Sequence, residues 1–302
     1  MSDMFPAFEE LYTPGYVQAQ LRKFRDRHVN HWRHHLRLAR ALAAAHLPPP
    51  PGTVLDLGCS IGTFALEFAA MGYETAGLDL DEKALEAGKA LALEMNVPVR
   101  WICADAANFT LPEPVDAIIC FDLLEHLEDE ALAGLFACVR RAIRPGGVFL
   151  FHTFPMEHDH IFYRGNLTCL PLAPLSGLPP RAFEAATRGY ARLLDAWYRL
   201  RHGKTHKQRI AATVHPNPLS RKRLDAMLWA SGLEVLALEA TLDGVNPLKP
   251  GQGWLAKRLF AHQEAARRSL YGAARKPSAG YGFDETSGST GPASPVSRNR
   301  GS

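Results

Sequence analysis

The segment Val54-Leu55-Asp56-Leu57-Gly58-Cys59-Ser60-Ile61-Gly62-Thr63 passes from an apolar β-type run through a glycine-bearing turn into the start of a helix. Gly58 and Gly62 admit backbone angles closed to other residues and let the chain approach a ligand. The amides of the helix that follows favour a carboxylate or phosphate. The same rhythm then repeats. Short strands are expected at 54–57, 74–79, 99–104, 117–121 and 148–153, with helices at 62–71, 82–96 and 129–143 between them and Pro145-Gly146-Gly147 as a turn. The apolar runs alternate little, as in strands covered on both faces. The expected fold is therefore α/β: a Rossmann-like, doubly wound, mostly parallel sheet with its ligand crevice at the carboxyl ends of the strands.

Two segments depart from this rhythm. Residues 16–47 hold no Pro or Gly, and Leu21, Phe24, Val29, Trp32, Leu36 and Leu42 recur at helical spacing, which predicts one or two amphipathic helices stopped by the prolines at 48–51. Residues 154–218 carry a Pro-rich loop near 170–180 and a helix at 181–201, a placement suited to a lid beside the crevice. A helix at 220–231 and a strand at 233–242 close the sheet, and the packed part is expected to end near Tyr271. The last residues are mostly Ser, Gly, Pro and Arg, too few of them apolar to offset their ordering entropy. The organisation read from this is an N-terminal helical segment (1–51), a main domain (52–275) with a cap insertion at 154–218, and a disordered tail (276–302).

A formal net charge of +3 on 302 residues argues against a dedicated nucleic-acid binder. Arg22, Lys23, Arg25, Arg27, Arg33, Arg37 and Arg40, with His28, His31, His34 and His35, form a local basic cluster that fits a solvated helix face better than a partner site. The five cysteines make an odd set without C-x-x-C spacing, which points to a reducing, cytoplasmic setting. No signal peptide and no membrane-spanning run is read.

Acidic residues end the successive strands: Asp79 in Gly77-Leu78-Asp79-Leu80-Asp81, Asp105 in Cys103-Ala104-Asp105-Ala106, and Asp122 after Phe121. A carboxylate in the first of these places can accept both hydroxyls of a ribose. A dinucleotide dehydrogenase would show a complete G-x-G-x-x-G, which Gly58 and Gly62 with Ser60 between them do not supply. Taken in order, V-L-D-L-G-C-S-I-G-T, A-G-L-D-L-D, C-A-D-A, D-A-I-I-C-F-D-L-L-E-H-L and I-R-P-G-G resemble the class I S-adenosylmethionine-dependent methyltransferases, in particular their ubiquinone-type O-methyltransferase branch. The resemblance implies S-adenosylmethionine as cofactor. It implies Asp56, Gly58, Cys59, Ser60 and Gly62 at the methionine end, Asp79 and Leu80 at the ribose, Asp105 and Ala106 at the adenine edge, and Phe121 and Asp122 closing the pocket. Ser60 stands where the family usually has glycine.

Methyl transfer needs a base only when the acceptor must lose a proton, so histidines near the strand ends are the catalytic candidates. His152 is at a strand end facing the crevice, and the resemblance implies two more: His126 in the E-H-L segment, and His215 in Val214-His215-Pro216, which matches a histidine that relatives carry just before the penultimate helix. No metal site is expected, because two ligands one residue apart in His158-Asp159-His160 fit a solvated lid loop better. Trp197-Tyr198-Arg199-Leu200-Arg201 reads as one face of a packed cap helix. The favoured activity is O-methylation of a small-molecule acceptor. Alternatives are an RNA 2′-O-methyltransferase with a metal near Glu125 and His126, and a non-catalytic cofactor-binding protein of the same fold.

Overall fold

A computed structural model describes residues 14–26, 30–163, 167–206, 208, 217–242 and 254–278. In chain order its main elements are α1 (Pro14–Arg25), α2 (Asn30–His46), β1 (Thr53–Leu57), α3 (Thr63–Ala70), β2 (Glu74–Asp79), α4 (Glu82–Met95), β3 (Val99–Cys103) and β4 (Val115–Phe121). They continue with α5 (Asp129–Ala142), β5 (Ile143–Thr153), α6 (Pro180–His202), α7 (Arg221–Ala230), β6 (Glu234–Thr241), α8 (Trp254–Phe260) and β7 (Ser269–Arg275). The seven strands form one sheet in the order β3-β2-β1-β4-β5-β7-β6. β1 to β5 pair in parallel, and β7 is antiparallel to both its neighbours. Strand order reverses between β1 and β4, so the crevice of a doubly wound sheet opens above their carboxyl ends.

Successive strand residues point to opposite faces, and each face has its own core. Leu55, Leu57, Leu78, Ile118 and Phe149 pack with Leu132, Leu135, Phe136 and Val139 of α5. Val54, Ala117, Ile119 and Leu150 pack with Ala39, Leu42 and Ala43 of α2 and with Phe64 and Phe68 of α3. α2 is thus packed on the body of the sheet. Val17 and Phe24 of α1 join Ile61, Leu66 and Leu91, which lays α1 across the glycine turn and α4.

Four expectations need correction. β5 begins at Ile143 rather than Val148, and the turn Pro145-Gly146-Gly147 is taken up within it as a bulge: pairing with β4 jumps from Ile143 opposite Val115 to Val148 opposite Ala117, Gly146 has φ 81°, and a Cβ on Gly147 would come within 2.7 Å of the Asp116 carbonyl oxygen. Tyr271 is not an end point but the middle of β7, a strand absent from the sequence reading. Its run Leu-Tyr-Gly-Ala-Ala lacks alternation because it is inserted between two strands, where Gly272 faces the Ala237 carbonyl and the Phe151 ring too closely for a side chain.

The segment His158-Asp159-His160 is buried, not solvated. A single helical turn, Asp159–Phe162, carries Ile161 and Phe162 into a cluster with Phe183 and Phe260, and the polar neighbours go in with them. His160 lies against His206, and Asp159 is 3.7 Å from Arg268. The fourth correction concerns α6, whose inward stripe is Phe183, Thr187, Tyr190, Leu194 and Tyr198. Leu193, Trp197 and Leu200 lie along one edge of that stripe and are exposed. The tail beyond residue 278 lies outside the described residues.

Candidate functional site

The turn after β1 is built on three left-handed residues, Gly58 (φ 74°), Ser60 (φ 51°) and Gly62 (φ 77°). Serine at such an angle costs on the order of 1 kcal/mol relative to glycine, which explains in physical terms why glycine is favoured there. Hydrogen bonds hold the turn to β2: the Gly58 and Cys59 amides donate to the Leu78 carbonyl at 2.8 and 3.0 Å, and the Ser60 amide donates to Asp79 Oδ2 at 2.7 Å. Asp79 Oδ1 accepts from the Asp81 amide at 2.9 Å. Burial pushes the Asp79 carboxyl up while those two amides oppose the rise.

Asp56 is buried beneath the turn, and its Oδ2 accepts from the Ala65 amide at 2.9 Å in the first turn of α3. With little solvent to stabilise the charge, its pKa is pushed up to about 7. Cys59 is buried as well, and desolvation raises its thiol pKa. Leu80 is exposed at the end of β2. At the end of β3, Asp105 is exposed and its Oδ1 accepts from the Ala107 amide at 2.8 Å, while Ala106 is half-buried.

The glycines here have different reasons to be small. A Cβ on Gly58 would come within 2.7 Å of Leu123 Cδ2, so Leu123 sits directly over the turn. A Cβ on Gly62, Gly77 or Gly88 would press on the Trp101 indole, which lies in a hollow formed by all three. From above, Tyr16 of α1 reaches the turn: burial raises its phenol pKa, Ser60 and Gln20 lower it, and the charges of Asp79 and Asp122 raise it again. Thr63 Oγ1 and Asp81 Oδ2 beside the turn are buried without a hydrogen-bond partner among the described residues, so the residues present suit a polar ligand.

The second part of the crevice lies past β4. Asp122 has φ 58°, and its amide donates to the His152 carbonyl at 3.0 Å. Its carboxylate meets two imidazoles, with Oδ1 2.5 Å from His152 Nδ1 and Oδ2 3.3 Å from His35 Nδ1 of α2. The two rings have centroids 4.5 Å apart, and Phe121, itself buried, stacks on His152 at 5.7 Å. His152, expected to face the crevice, is at the strand end but 0% exposed, because α2 and His35 cover it. Glu125 is also 0% exposed; its Oε2 accepts from Thr153 Oγ1 at 2.7 Å, and its Oε1 has no partner among the described residues. Burial first, then the Asp122 charge, pushes its pKa up to about 8.

His126 is half-buried in the 3-10 turn Leu124–His126. Among the described residues, one group of three potential metal ligands comes together, His35, Asp122 and His152, and His126 is outside it. His215 lies outside the described residues. Glu125, beside which the RNA alternative places a metal, is buried; of the basic residues, Arg40 pairs with Glu67 at 2.8 Å and exposed Arg25 with exposed Glu94 at 3.3 Å. No helix among the described residues is long and apolar enough to cross a membrane.

His35 and Tyr16 were missed as site residues. A signal existed for His35: it shares the buried stripe of Ala39 and Leu42 at i, i+4 and i+7, a place where a polar side chain needs a partner. The sequence did not say which partner.

Residues 54–147 match a family model described as a methyltransferase domain. The ubiquinone biosynthesis O-methyltransferase of Alkalilimnicola ehrlichii is 37% identical over 102 residues, covering 33% of this chain and 40% of that protein. The enzyme of the same name from Paraburkholderia xenovorans is 36% identical over 120 residues, covering 39% and 50%. The chain thus spans half or less of the length of these relatives. Among solved structures, the PH0226 protein of Pyrococcus horikoshii superposes with a TM-score of 0.50 at 17% identity, over 81% of this chain and 91% of that one. The [4+2]-cyclase SpnF gives a TM-score of 0.50 at 17% identity, over 80% of each chain. Such likenesses show the fold alone, and a cyclase among them illustrates that the architecture does not fix the reaction.

Proposed function

We propose, on the premise that this chain belongs to the class I S-adenosylmethionine-dependent methyltransferases, that it moves a methyl group from that cofactor to a hydroxyl of a small-molecule acceptor. The observation that carries the reading is the left-handed turn 58–62 tied by the Ser60 amide to Asp79 at the end of the next strand. In this reading Gly58, Cys59, Ser60 and Gly62 hold the methionine end, with Asp56 fixing the start of α3 from below. Asp79 and Leu80 take the ribose, Asp105 and Ala106 the adenine edge, and Phe121 with Asp122 closes the pocket.

The cofactor supplies a methyl carbon already activated on a sulfonium, so the chain's share is orientation and electrostatic fit. A hydroxyl acceptor must lose its proton, and half-exposed His126 is the group we assign to receive it, with His215 as a second candidate. His152, sealed under α2, acts through Asp122 as a positioning residue. The segment 154–218 serves as the lid, the helices before residue 52 as the roof, and the enzyme works in the cytoplasm. Ser60 holds the left-handed angle a glycine would, so that departure gives no support to a protein that has lost its chemistry.

Titration calorimetry with S-adenosylmethionine tests the reading, with Asp79→Ala as the control. Heat from the wild type and its loss in the variant are expected; a wild type that binds nothing removes the idea. Incubation with labelled cofactor and fractionated extract, followed by mass spectrometry of the labelled product, then identifies the acceptor.

A further inference from the structure

We infer that His35, Asp122 and His152 form a binding site for one divalent transition-metal ion. Each offers a ligand atom, and the three atoms lie within 4.8 Å of one another. The 3.3 Å between His35 Nδ1 and Asp122 Oδ2 is close to the separation of two ligands each about 2.0 Å from a common ion at a tetrahedral angle, whereas the 2.5 Å between His152 Nδ1 and Asp122 Oδ1 is a hydrogen bond that the ion would replace by drawing the two atoms apart. Two imidazoles with one carboxylate suit Zn²⁺, Fe²⁺ or Mn²⁺ better than the all-oxygen shell of Mg²⁺ or Ca²⁺.

Three independent features hold the ligands in place. Asp122 keeps a left-handed backbone angle that a non-glycine residue adopts at a cost, and its amide is bonded to the His152 carbonyl. Phe121 stacks on the His152 ring. His35 is fixed by α2, whose Ala39, Leu42 and Ala43 are packed on the sheet. Both imidazoles are buried, and the Asp122 side chain is 25% exposed, so solvent reaches the ligand set at the carboxylate. The Asp122 charge is also felt at Tyr16 together with that of Asp79, which places this side toward the glycine turn.

The ion's remaining positions suit an oxygen ligand, and the class we assign is a hydroxyl, which a bound cation acidifies. This last step rests on the methyl-transfer reading; the metal site itself does not. The site unites residues from α2 and the ends of β4 and β5, so α2 would be clamped to the sheet by the ion.

The test uses the full chain, stripped with chelator and titrated with Zn²⁺, with bound metal counted by elemental analysis after gel filtration. One equivalent is expected. His35→Gln and His152→Gln should each weaken binding by more than the ~10- to 100-fold that loss of an outer-shell partner costs, and exposed His262→Gln should change nothing. Binding untouched by both crevice substitutions, or no stoichiometric binding by the wild type, overturns the site in favour of a plain hydrogen-bonded triad. Should either variant fail to fold, the wild type loaded with Cu²⁺ decides: a paramagnetic resonance spectrum with coupling to two imidazole nitrogens supports the site, and its absence sinks it. Calorimetry with S-adenosylmethionine on the same samples is a separate reading, so a failed cofactor and a failed metal are distinguishable. With metal bound, a catechol probe should perturb the Co²⁺ visible spectrum; a spectrum indifferent to it removes the oxygen-ligand assignment alone.

Discussion

The two halves of the crevice are built in contrasting ways. Around the glycine turn, most contacts link residues within about one βαβ unit: Ser60 to Asp79, Asp56 to Ala65, Gly58 to Leu78. Beyond β4, Asp122 is met by His152 from the next strand and by His35 from a helix that precedes the whole sheet. The hydrogen bonds of the first half run within its own segment, with Trp101, Leu123 and Tyr16 packed against it. The second exists only when distant elements have docked, so it should be the more sensitive to anything that loosens α2.

The largest effect should come from breaking the local half. Gly62→Ala places a Cβ against the Trp101 indole at a left-handed angle, and a loss of about 3 kcal/mol in denaturant unfolding is expected. A variant as stable as wild type would show that Trp101 yields freely.

Asp79→Ala removes the acceptor of the Ser60 amide and should cut S-adenosylmethionine affinity ~100-fold, about 2.7 kcal/mol. His152→Gln should leave that affinity within a few-fold and lower turnover instead. If calorimetry finds equal losses in both variants, the two halves are not separable as described.

Each half also contains a buried carboxyl whose pKa is raised, Asp56 to about 7 and Glu125 to about 8. Because both folded values lie above the unfolded ones, their contribution is full below about pH 4 and is lost as pH rises through 7 and 8. Thermal midpoints should therefore fall between pH 5 and 8. Asp56→Asn and Glu125→Gln, which keep an acceptor for Ala65 and Thr153, should each flatten part of that slope, by an amount on the order of a few kcal/mol. Unchanged slopes in both would mean that water reaches these groups.

The smallest change is Ser60→Gly, expected to stabilise by about 0.5–1 kcal/mol by relieving the left-handed serine. Destabilisation would mean that the Ser60 hydroxyl does more than fill the turn.

Legibility followed the same division. The five strands from β1 to β5 and the helices between them were readable because each has its own apolar period and punctuation. β7 was not, since its small residues answer to Ala237 and Phe151 on neighbouring strands. The burial of His158, Asp159 and His160 escaped notice because two aromatic-cluster residues next to them, Ile161 and Phe162, set the direction of that turn. The exposure of Trp197 could not be inferred from an amphipathic pattern that does not say where the buried stripe ends.

By itself the sequence determined the parallel α/β rhythm, the turn at 58–62 and the acid at the end of each strand, because those depend on backbone angles and spacing within short stretches. Only the tertiary structure decided that His35 meets Asp122 and His152, and that Tyr16 roofs the turn. A helical period fixes which side chains share a face, while the surface that face lands on is chosen by the packing of the whole sheet.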